Sequence, residues 1–166
     1  MDIQAIFGLS ILMNFLACGI VTKLYAWPRL QKMPREDALL ALTVPHTFRF
    51  VGLSFLVPGV VAPSLQPAFA APAAYGDLVA AVLAMVASLA LAARAAWAVT
   101  IVWVFNLWGT LDLLHAIYQG QIGVGISPGS LGAAFYIPTV VVPPLLVTHA
   151  LIFRLLLRPR PGDRAA

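Results

Sequence analysis

Apolar residues run along this chain in five long stretches, separated by short polar or proline-rich connections. The stretches cover about 3–27, 38–57, 76–93, 97–118 and 131–157. A helix crossing a hydrocarbon core of about 30 Å needs about 20 apolar residues, and each stretch meets or nearly meets that length. The pattern predicts an all-α membrane protein, a bundle of five transmembrane helices in one domain over 1–157. A short basic tail follows at 158–166. The first stretch reads as a retained anchor: Asp2 stands where a cleavable signal peptide carries a basic region, and the run is too long.

Residues 76–118 exceed one span, yet no glycine or proline divides them at the turn that must exist. Arg94, between Ala93 and Ala95, marks the division. Arginine in hydrocarbon costs about 2.5–3.5 kcal/mol, which a water-facing hairpin tip removes, with Trp97 as an interface anchor.

Charge tests the count of spans. Arg29, Lys32 and Arg35 follow the first span, with Lys23 near enough to snorkel; Arg94 follows the third; Arg154, Arg158, Arg160 and Arg164 close the chain. The connections 58–75 and 119–130 carry no Lys or Arg. With five spans, nine of the ten basic residues therefore share one side, which the positive-inside bias makes cytoplasmic. The N-terminus is expected outside and the C-terminus inside, in a membrane of the bacterial inner (plasma) type.

Composition agrees. The chain is 61% hydrophobic and 10% charged, with mean hydropathy +0.94, against about 25% charged residues in soluble domains. That excludes a cytosolic globule, and disorder with it. Cys18 is the single cysteine, so neither an internal disulfide nor a multi-cysteine zinc site can form. The net charge of +4 reflects the inside loops and implies no nucleic-acid partner.

Two features read as packing. Gly76, Ala80, Ala84, Ser88, Ala92 and Ala96 recur every fourth residue, a spacing that lets helices approach closely in lipid. The stripe serves an internal seam with helix 2 or helix 4, or alternatively a homodimer or larger assembly. Pro138, Pro143 and Pro144 are expected to kink helix 5, with neighbours satisfying the freed carbonyls. Pro58, Pro63, Pro67 and Pro72 argue against a regular helix over 58–75, which is expected to fold back over the outer helix ends, either as a re-entrant cap lining a cavity or as a passive lid.

Polar groups inside spans are functional-site candidates by default. Asn14, His46, Arg49, Asn106, Asp112, His115 and His149 make up the set, with Asp112 the only acid placed in a span. At 1.5 Å per residue, His46 and His149 lie about 12 Å from the inner surface and Arg49 near the midplane. Arg49 cannot lose its charge, so it needs an anion, carbonyls or a wet cavity, and a buried pair with Asp112 supplies one. His115, three residues beyond Asp112, is placed to bond it.

The expected ligand pocket joins His46, Arg49, Asn106, Asp112 and His115 between helices 2, 4 and 5. It would bind or move a small or lipid-like ligand, or the protein would serve as a membrane subunit of an assembly. No cofactor is required. The competing reading uses His46 and His149 as imidazole ligands of haem, or as a quinone site, in a redox or isomerase-type enzyme. Gly125-Ile126-Ser127-Pro128-Gly129 matches G-x-S-x-G, but lacks the strand and helix that a nucleophile elbow needs.

Overall fold

In the computed structural model, which describes residues 1–158, five helices are long and apolar enough to cross a membrane. They are α1 Ile3–Leu30, α2 Arg35–Leu56, α3 Pro67–Ala92, α4 Ala98–Gly123 and α5 Ile137–Leu156. This is the architecture of a multi-pass membrane protein. Arg160, Arg164 and the rest of the tail after Arg158 lie outside the described residues.

The helices differ from the expected spans where proline or glycine acts. α1 continues past Trp27 to Leu30 through a π turn at Thr22–Ala26, just before Pro28, which has no N–H to donate. α3 begins at Pro67, nine residues earlier than expected, so 67–75 is helix after all. Proline at the first helical position loses nothing, because that N–H has no partner anyway. Pro72 removes a single backbone bond within a helix of 26 residues. α4 runs past Tyr118 through a π turn at Gln119–Gly123.

α5 starts at Ile137 rather than 131. A 3-10 segment at Pro128–Phe135 precedes it and breaks at Gly132, with φ 53° and ψ −129°. A side chain there would strike the Val60 carbonyl, so the position needs glycine twice over. The connection 57–66 folds back against this segment: Ala62 N–H donates to Ser130 O at 3.0 Å and Ala133 N–H to Val60 O at 2.8 Å.

α2 changes character midway. Arg35–Thr43 is α-helical, and Val44–Leu56 tightens into 3-10 turns, with Pro45 in the first of them. A 3-10 helix has three residues per turn, so Thr43, His46, Arg49, Gly52 and Phe55 stand in one line. All five are buried, while Phe48, Phe50 and Val51 between them are exposed. An α-helix would have fanned these residues around its axis.

α3 is the central element and packs most extensively on α2 and α4. Its small face is an internal seam: Ala80, Ala81, Ala84 and Ala87 are fully buried. The seam ends before Ala92 and Ala96, which are exposed. At the expected hairpin, Arg94 adopts φ 54°. Its N–H bonds Leu91 O and the Ala95 N–H bonds Ala90 O, a Schellman stop with arginine in the usual glycine place. The guanidinium reaches the start of α2, bonding Glu36 at 2.9 Å and also Asp37. Those bonds, Glu36 first, push the Arg94 pKa upward.

Two apolar cores result. One, around Leu39, Leu91, Val102, Phe105 and Ile152, lies at the Arg94 end. The other, around Phe7, Phe55, Phe69 and Leu131, lies at the loop end. Between them sits a layer of buried polar groups.

Candidate functional site

Arg49 is the hub of that layer and is 2% exposed. Its Nε donates to Asp77 Oδ1 of α3 at 2.7 Å, and its Nη2 to Asp112 Oδ2 of α4 at 2.6 Å. Its Nη1 donates to the Gly109 carbonyl at 3.1 Å and lies 3.3 Å from His149 Nε2. The expected Arg49–Asp112 pair is present, but it is half of a three-membered ion cluster. Asp112 is not the only acid in a span. Asp77 stands at the edge of a span expected to start at Gly76, but α3 starts at Pro67 and holds it well inside, buried.

Hydrogen-bond chemistry fixes the histidines. Arginine only donates, so His149 Nε2 accepts and the ring proton sits on Nδ1, 2.7 Å from Asn106 Oδ1. Asn106 returns a bond to the His149 carbonyl at 3.3 Å. Thr148 gives its hydroxyl proton to the carbonyls of Pro144 and Leu145. His46 Nε2, 2.9 Å from the Thr148 oxygen, is therefore the donor. His46 Nδ1 is left as a buried atom with no partner. His115, by contrast, is exposed and forms no hydrogen bond to Asp112 among the described residues. Three residues along an α-helix turn a side chain by about 60°, enough to face it out of the cluster.

Three glycines make room for the charges. A methyl on Gly52 would overlap the Asp77 carboxylate, and one on Gly76 the Asp112 carboxylate. One on Gly109 would stand 2.7 Å from both Arg49 Nη1 and His149 Cε1. The sequence signal was there, in glycines facing ionisable residues across helices, but the pairing appears only in three dimensions.

The histidine pair does not fit a bis-imidazole haem site. The His46 and His149 rings lie against each other, tilted by 52° with centroids 4.2 Å apart. Iron needs a nitrogen from each ring pointing at it from opposite sides, and three of the four ring nitrogens are engaged in hydrogen bonds. Among the described residues, no three His, Cys, Asp or Glu side chains are grouped to hold a metal ion.

The cluster borders a cavity of about 350 Å³ between α1, α3, α4 and α5. Phe7, Ile11, Phe69, Ala116 and Leu131 are among its apolar walls, and Asp77, Asp112 and Gln121 are its polar side chains. Of the expected pocket residues, only Asp112 lines it. His46, Arg49 and Asn106 stand behind the carboxylates, and His115 lies outside. A groove beside α2, lined by Pro45, Phe48 and Leu145, approaches Arg49 from its other side.

No curated protein and no solved structure matches this chain. The sequence profile described as Domain of unknown function (DUF8737) matches residues 6–157, so the chain belongs to the DUF8737 family.

Proposed function

We propose that this protein binds a small, lipid-like molecule inside the membrane, with the ligand's polar end against Asp77 and Asp112. The observation that carries the reading is the cavity. It is more than twice an engineered apolar cavity of about 150 Å³ that takes up benzene, and within the usual range of about 300–1,000 Å³ for small-molecule sites. Its walls are apolar apart from a few converging polar groups, the usual composition of a ligand site. The Arg49 network supports the reading by holding both carboxylates in place.

The chain would sit in a bacterial-type plasma membrane with its N-terminus outside, as the one-sided distribution of Lys and Arg supports. In that orientation the cavity lies toward the outer half of the bilayer, with Gln121, Ile126 and Leu131 at or beside the outer connection in its wall.

The test is native mass spectrometry of protein purified in lipid nanodiscs, beside Ala116→Phe, which fills the cavity from α4. The expected result is a bound small molecule on the wild type that is absent from the folded variant. Equal occupancy of both would remove the cavity from consideration. A wild type that carries nothing and takes up no added amphiphile would leave a purely structural or assembly role.

A further inference from the structure

The ion cluster is unbalanced. Two carboxylates, Asp77 and Asp112, face one guanidinium, Arg49. The remaining titratable groups around it do not supply the missing charge. On α5, His149 accepts from Arg49 through Nε2, so it is neutral. On α2, His46 donates through Nε2 and has no acceptor near Nδ1 for a second proton. On α4, His115 lies near Asp112 but is exposed to water, which screens it, and forms no hydrogen bond or ion pair with either carboxylate among the described residues. α1 contributes only Phe7, Gly8, Ile11 and Phe15 to the cavity wall. An uncompensated charge in a low-dielectric interior is strongly disfavoured. One further positive charge belongs at the carboxylates, and the cavity is the space beside them.

Resting on the cavity reading above, we infer that the ligand is an amphiphile with a cationic amine head, bound in exchange for one proton. In the empty site that proton sits on the carboxylate pair. The protonated amine enters, its N–H groups donate to Asp77 and Asp112, and the proton leaves to solvent. The charge of the site is the same before and after. A carboxylate-headed amphiphile would add a negative charge that nothing at the site balances and is excluded. An alcohol leaves the proton where it was and gains nothing from the imbalance.

The experiment measures equilibrium binding of tritiated n-octylamine, n-octanol and octanoate to the full chain in phosphatidylcholine nanodiscs, with empty nanodiscs subtracted. At pH 8 octylamine should bind at least about tenfold more tightly than octanol, and octanoate should not bind. Octylamine stays protonated throughout, so its affinity should fall by up to about tenfold per pH unit as pH drops through the titration of the pair. Octanol affinity should stay flat. The octylamine slope should persist in His115→Ala, which removes the one exposed histidine near Asp112, and vanish in Asp112→Asn. Equal affinity for amine and alcohol, or an octylamine affinity independent of pH from 5 to 8, overturns the exchange while leaving the cavity reading intact. Binding of none of the three overturns both.

Discussion

The Asn14 side-chain amide of α1 donates to the Thr139 carbonyl of α5 at 2.9 Å, and to the neighbouring Val140 carbonyl at the same distance. In an α-helical register those two carbonyls would accept from residues 143 and 144, and both are proline. Asn14 thus supplies, from another helix, the donors that Pro143 and Pro144 lack. α1 has few other anchors, since Phe7 and Leu30 are its only buried residues.

Asn14→Leu should therefore loosen α1 from the bundle. Interhelical hydrogen bonds in membranes contribute about 0.6 kcal/mol on average and up to about 1.7. With two orphaned carbonyls involved, a loss of about 1–1.5 kcal/mol is expected in a reversible unfolding titration. Cys18→Ala, which removes only a thiol bonded to Asn14 at 3.2 Å, should change little.

The ion cluster predicts non-additive losses. Arg49→Met strands two carboxylates, and breaking buried ion pairs in this way typically costs about 3–5 kcal/mol. Adding Asp112→Asn should recover part of the loss, and adding Asp77→Asn as well should recover most of it. A simple sum of single losses would mean the three side chains do not act as one unit.

Much of this was legible in the residues. The five apolar runs, the Arg94 hairpin and the Arg49–Asp112 pairing follow from hydrophobic length and from the expense of charge in lipid. The second carboxylate did not follow, because the prolines at 67 and 72 masked the start of α3 and placed Asp77 at a boundary. The 3-10 half of α2 was also hidden. Its signal is the strict spacing of three from Thr43 to Phe55, which departs from the 3.6-residue period of an α-helix and mixes polar with apolar side chains. His115 erred the other way: neighbouring spacing to Asp112 suggested contact, and rotation about α4 denied it.

The glycines facing the charges should be intolerant of a single methyl. Gly76→Ala and Gly109→Ala force a buried ion to move, and overpacking of this kind costs about 1–3 kcal/mol. Gly19→Ala is the control, because nothing lies within 4 Å of the added carbon. Equal stability of all three in the same titration would show that the cluster has slack.

Orientation is checked by labelling. On a Cys18→Ala background, cysteines at Gly59 and Gly125 should react with an impermeant thiol reagent applied from outside. Cysteines at Gln31 and Ala95 should be protected until the membrane is opened. The reverse pattern would invert the whole chain.

The position of Arg49 ahead of both its carboxylates also has a consequence for biosynthesis. A ribosome delivers α2 before Asp77 exists, so the nascent span carries a lone guanidinium into the insertion machinery, at about 2.5–3.5 kcal/mol on insertion scales. Asp77 follows 28 residues later on the helix that packs most closely against α2. The two helices should therefore leave the translocon together, as a hairpin neutralised within itself, and a chain cut after α2 should slip back out. Asp112 arrives last, and with it the excess negative charge: only when α4 joins does the assembled protein acquire a carboxylate it does not need for its own insertion.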